Sequence, residues 1–146
     1  MKLSGRVNTN TLIFAGLAVL VAMVVLIVTT KRGPSTSAAE FLQALAATDA
    51  EKVAELSIID DDDYETRLKK WQATLDRTQY YLWSYKILNT VPTSETSAAV
   101  KVEVIKNPTA SSPVIDKFEL YMEKRDGQWK VVVPSISREM YPSLPE

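Results

Sequence analysis

The chain has 146 residues, 46% of them hydrophobic and 24% charged, with 17 basic and 18 acidic side chains for a net charge of −1. It contains neither cysteine nor histidine. Those absences exclude disulfides, thiolate nucleophiles and iron–sulfur ligation, and they remove the usual haem ligand and neutral-pH general base.

Leu12 to Val28 reads LIFAGLAVLVAMVVLIV, without a charged residue. Taken as residues 11–30, the stretch is about 20 residues and about 30 Å long as a helix, which predicts one transmembrane span. A cleaved signal peptide is the competing reading. Its apolar core is normally shorter, and here Lys31-Arg32 precedes the small residues that a cleavage site needs. Ala15, Ala18 and Ala22 recur at helical spacing, a candidate face for packing against another membrane helix. Lys2 and Arg6 lie on one flank, Lys31 and Arg32 on the other. The expected orientation keeps the short tail (1–10) in the cytoplasm and the domain on the periplasmic or extracellular side of the inner membrane. All 18 acids and 13 of the bases lie beyond this region, a balance near −5. Such a domain is a poor match for a phosphate backbone, so no nucleic-acid partner is expected.

Residues 31–36 form a linker, and 37–137 read as one soluble domain. Ser37-Ala38-Ala39-Glu40 has the capping-box pattern and opens a helix to about Ala47. Thr48-Asp49-Ala50-Glu51 repeats the pattern before a second short helix to about Ser57. The run Asp60 to Asp63 then begins a third helix, where Tyr64, Leu68, Trp71 and Leu75 make an amphipathic stripe. From Tyr80 the period changes. Tyr80 to Val91 is rich in aromatic and β-branched residues and predicts a strand. Thr96 to Lys106 alternates, with Ala98, Val100, Val102 and Val104 on one face. Val114 to Met122 and Gln128 to Val133 complete an antiparallel meander, the last two strands joined at Asp126-Gly127. Residues 138–146 form an irregular, proline-containing tail. The expected fold is α+β: a transmembrane helix, then three helices against a four-stranded antiparallel sheet.

This element order resembles the nuclear transport factor 2-like (cystatin-like) superfamily over about Ser37 to Ser137. The resemblance rests also on the Ala38-Ala39-Glu40-Phe41-Leu42-Gln43-Ala44-Leu45 helix and on the hairpin Lys124-Arg125-Asp126-Gly127-Gln128-Trp129-Lys130-Val131. It implies helices packed into the concave face of a bent sheet, giving a cone. Enzyme branches of the superfamily use a pocket Asp, His or Tyr, and none of their catalytic patterns is visible here. Other branches are non-enzymatic. They include membrane-anchored scaffold subunits of type IV secretion machines, with a layout like this one.

Four consecutive carboxylates at Asp60 to Asp63, with Glu65, suggest calcium. Consecutive carboxylates diverge, however, and the glycine of a calcium loop is missing, so a capped helix start is the better reading. Trp71, Tyr81, Trp83 and Tyr85 are candidates for an apolar pocket or a partner surface. Met140, Tyr141 and Leu144 lie in a proline-stiffened tail that is either a contact with a partner subunit or simply frayed. Asp49, Asp76 and Asp116 are isolated acids without an evident partner residue. No catalytic residue, metal site or cofactor is assigned. The function expected is a non-enzymatic accessory or assembly subunit, held by the lipid bilayer and by other membrane subunits of a secretion, respiratory or photosynthetic complex. A membrane-tethered module binding a small apolar ligand is the alternative. An isomerase- or dehydratase-like enzyme is the third reading, and it needs a buried carboxylate.

Overall fold

The computed structural model describes residues 32–146. The expected tail 1–10, the expected span 11–30 and the face formed by Ala15, Ala18 and Ala22 lie outside the described residues. Among the described residues no helix is long and apolar enough to cross a membrane.

Three helices come first, each started by local chemistry. Helix α1 is Pro34–Ala46, with Gly33 as its N-cap. Proline suits the first helical position because its φ is already helical and its missing N–H is not needed there. The helix therefore begins earlier than the Ser37 capping box implied, and Ser37 is buried within it. Its C-terminus closes as a Schellman motif: Asp49 N–H donates to Ala44 O at 2.9 Å and Thr48 N–H to Leu45 O at 3.3 Å. Thr48 holds the left-handed position, with φ of 56°, where glycine is usual. Helix α2 is Ala50–Glu55. Its cap is Asp49, which accepts from Lys52 N–H at 3.0 Å, one residue later than the expected Thr48. Helix α3 is Tyr64–Thr78, capped by Asp63, which accepts from Thr66 N–H at 2.8 Å.

The sheet has five strands, not four. Strand β1 is Ser57–Ile58, β2 Trp83–Pro92, β3 Ser97–Lys106, β4 Val114–Arg125 and β5 Gln128–Val132, in the order β1-β5-β4-β3-β2. The unexpected strand, β1, pairs in parallel with β5, Ser57 opposite Val131. Two residues are too few to show any periodicity. The remaining pairs are antiparallel. Asp126 and Gly127 both have positive φ, 52° and 79°, as the two-residue turn between β4 and β5 requires. A register shift between Ile87 and Asn89 leaves Leu88 as an extra residue in β2; such bulges bend and twist a strand. Strand β2 starts at Trp83 rather than Tyr80, because Tyr81 N–H still closes a turn onto Thr78 O after α3.

Ala98, Val100, Val102 and Val104 of β3 are buried, with Leu120 and Met122 of β4 and Val131 of β5. Phe41, Leu42 and Leu45 of α1 cover them, together with Val53 and Ala54 of α2 and Trp71 and Leu75 of α3. Trp71 packs edge-on against Phe41 at 5.9 Å, and its indole N–H donates to Ser57 Oγ at 2.9 Å. Tyr64, the first residue of the predicted stripe, is exposed.

The tail departs most from expectation. Residues 138–146 lack helix and strand, as their prolines imply, but they fold back on the domain. Met140, Tyr141 and Leu144 are buried in the same core cluster as the helices and sheet. Those side chains, candidates for a partner contact or a frayed end, are instead used by their own domain. Arg32 to Glu146 accordingly forms one unit.

Candidate functional site

The concave face of the sheet is built from cross-strand rows. Trp83 of β2, Lys106 of β3 and Val114 of β4 form one; Tyr85, Val104 and Asp116 the next; Ile87, Val102 and Phe118 the third. Directly paired residues share a face. These rows therefore gather Trp83, Tyr85 and Phe118 with Lys106 and Asp116 on the inner side of one end of the sheet. Lys106 Nζ pairs with Asp116 Oδ2 at 3.0 Å and stands 5.4 Å from the centre of the Phe118 ring.

The tail brings in a further ring. Tyr141 packs edge-on against Tyr81 at 5.4 Å and against Trp83 at 5.6 Å, and Trp83 lies 5.6 Å from Tyr85. The Tyr141 hydroxyl meets Thr78 Oγ1 at 2.8 Å. Thr74 Oγ1, one turn earlier on α3, donates to Ser143 O at 2.9 Å. Tyr141 thus closes the gap between the end of α3 and the start of β2. Burial raises the pKa of its phenol above the ordinary tyrosine value, against the Thr78 hydrogen bond, which lowers it. Tyr81 is shifted upward as well, first by burial, with Lys106 opposing and Asp116 adding to the shift.

Of the four aromatic candidates, the structure brings Tyr81, Trp83 and Tyr85 together, half-buried. It separates Trp71, which lies fully buried beneath α1. Sequence reasoning missed three members of this wall: Tyr141, Lys106 and Asp116. The signal for the ion pair was weak but present, since a hairpin across 107–113 puts Lys106 and Asp116 near one another on one face. Nothing in the sequence showed where the tail would turn.

The acidic run is a helix start. Asp63 is the cap, and its pKa is lowered chiefly by the Thr66 backbone hydrogen bond. Asp62 Oδ2 lies 2.6 Å from Lys70 Nζ. Arg67 donates to the carbonyls of Ala54 and Asp62. Cations therefore answer the run. Among the described residues no group of three or more acids is placed to hold a metal ion. Asp49 is the α2 cap, Asp116 is paired and Asp76 is exposed. The buried polar side chains among the described residues are Ser37, Ser57, Thr74 and Thr78. The last three make hydrogen bonds that hold the helices, β1 and the tail in place.

Three helices on a curved five-stranded sheet, antiparallel except for β1, define a fold class. No known family profile matches the chain, and no curated protein matches it. Solved structures do. One is provisionally described as a calcium/calmodulin-dependent protein kinase type II association domain from Thiobacillus denitrificans. It is 10% identical, with a TM-score of 0.53 over 68% of this chain and 90% of that one. Another is a domain of unknown function with a cystatin-like fold from Nostoc punctiforme. It is also 10% identical, with a TM-score of 0.50 over 65% of this chain and 68% of the other. An NTF-2 like protein of unknown function from Shewanella oneidensis is 13% identical, with a TM-score of 0.49 over 68% and 94%. At these identities the likeness is one of fold. The domain has a cystatin-like α+β fold, three helices on a curved sheet, in agreement with the fold that the sequence resemblance implied.

Proposed function

We propose that this chain is a single-pass membrane-anchored, non-enzymatic accessory subunit that stabilises a larger membrane protein complex. One observation carries the reading. The inner face of the cone is packed with the chain's own side chains, including Met140 and Tyr141 from the tail. A cone filled in this way favours surface contacts over pocket chemistry. The run from Leu12 to Val28 supports the anchor, and the flanking charges support a domain on the periplasmic or extracellular side of the inner membrane. The partners on this reading are other subunits of a secretion, respiratory or photosynthetic assembly.

The test is isolation from native membranes in mild detergent, with an affinity tag and mass spectrometry. Membrane subunits recovered in fixed proportion support the reading, and a chain that runs alone overturns it. A second reading, a tethered module for a small apolar ligand, is favoured by the half-buried wall of Tyr81, Trp83 and Tyr85. Native mass spectrometry distinguishes the two by finding a bound small molecule. An isomerase or dehydratase reading calls for a buried carboxylate, whereas the buried polar groups among the described residues are hydroxyls.

A further inference from the structure

The four most exposed large apolar side chains among the described residues are Tyr80 at 85%, Leu82 and Ile115 at 56% and Val114 at 53%. They are far apart in sequence but gather at one end of the sheet. Leu82 O accepts from Asn107 N–H at 3.0 Å, at the end of β3. In the next row Trp83 faces Lys106, and Lys106 faces Val114; Ile115 faces Ile105 in the row after that. Tyr80 precedes Leu82 by two residues. The carboxylate nearest these rows, Asp116, is neutralised by Lys106. The rim is thus apolar, with a tyrosine and a lysine beside it, the mix favoured at the headgroup level of a bilayer.

We propose that this rim lies against the lipid headgroups of the membrane that anchors the chain. The inference rests on the tethering proposed above. Two observations select lipid and orientation. First, only residues 31–33 separate the expected span from Pro34, so the tether reaches about 10–14 Å at most. The headgroup layer is roughly 5–8 Å thick on each side. A domain held that closely presents one of its surfaces to the lipid. Second, Ala39 of α1 lies beside the rim end of β2. The Tyr85 hydroxyl donates to Ala39 O at 3.5 Å, and Ala39 is about 7.5 Å along the helix from Pro34. The other exposed apolar row, Val91 and Tyr121 flanking Ala99, is at the opposite end of the strands. Tyr121 stands about 20 Å along β4 from Ile115.

The chain has no cysteine, so single cysteines introduced for labelling are unambiguous. The full chain is reconstituted in phosphatidylcholine nanodiscs carrying a headgroup spin-labelled lipid. Bimane is attached at Leu82→Cys, Val114→Cys or Tyr121→Cys, all exposed positions, with circular dichroism checking each fold. The expected result is quenching at 82 and 114 at least about threefold stronger than at 121, as for side chains seated in the headgroup layer. Equal quenching, or stronger quenching at 121, overturns the proposal. That outcome includes a rim reserved for another protein. A chain that fails to elute with the nanodiscs overturns the tether itself. The two failures are separable because co-elution is read before quenching.

Discussion

Tyr141 is the side chain whose removal tells most about this domain. It is buried between α3 and β2, touches the rings of Tyr81 and Trp83 and shares a hydrogen bond with Thr78. Tyr141→Ala removes an aromatic ring from a packed site and leaves a cavity, which costs about 3–5 kcal/mol. Set against a typical domain stability of about 5–15 kcal/mol, that is a large loss. Tyr141→Phe isolates the hydroxyl. Thr78 Oγ1 also donates to Thr74 O at 3.0 Å, so the lost phenol strands no donor, and the cost is about 1 kcal/mol. Urea unfolding of the full chain in mild detergent, followed by tryptophan fluorescence, measures both. The expected shift for Tyr141→Ala is about 2 M or more in midpoint. A shift below about 0.5 M would refute the claim that the tail belongs to the core, because a frayed tail contributes almost nothing.

Two phenols, Tyr141 buried and Tyr81 half-buried, also predict a pH dependence. Their folded pKa values lie above the unfolded one, so the stability they contribute is complete below roughly pH 10 and is lost as pH rises through the folded values. Alkaline denaturation should begin in that range, and Tyr141→Phe should weaken it; an unchanged alkaline profile would contradict the burial. Thr48→Gly should stabilise the domain by about 1 kcal/mol, since a β-branched residue occupies the left-handed position after α1; a thermal melt reads it, and a fall in midpoint would count against the motif. Ser57→Ala should cost about 1–3 kcal/mol, because the buried Trp71 indole N–H loses its acceptor, and the Trp71 emission should shift. Asp116→Asn breaks only a partly exposed ion pair with Lys106 and should cost less than about 1 kcal/mol in the same melts.

Most of the fold was legible because its elements carry strong periodic signals. The alternation from Ala98 to Val104 gives β3 and its buried face directly. Trp71 and Leu75 of the helical stripe are indeed core. Asp126-Gly127 states its own turn. The errors fall where local signals compete or vanish. Ser37 satisfied a capping pattern, yet Pro34 had already started the helix one turn earlier. Thr48 resembled a cap, but the preceding helix used it to terminate and handed the capping to Asp49. Strand β1 is only Ser57 and Ile58, and it exists because β5 offers a partner more than seventy residues away; no window of the sequence contains both.

The candidate site was half legible for the same reason. Tyr81, Trp83 and Tyr85 are close in sequence and on one strand, so composition alone groups them. What turns them into a closed wall is long-range: Tyr141 arrives from the other end of the domain and fills the space beside them. The apolar side chains of the tail signalled burial correctly, but apolarity does not say against what. A tail of this kind satisfies its own domain or a partner with the same residues, and only the register of the fold distinguishes the two. Once Met140 and Tyr141 are spent inside, the most exposed apolar side chains among the described residues are Tyr80, Leu82, Val114 and Ile115. On the proposal made above, contact falls instead on residues of the opposite kind, those whose exposure no sequence pattern announces.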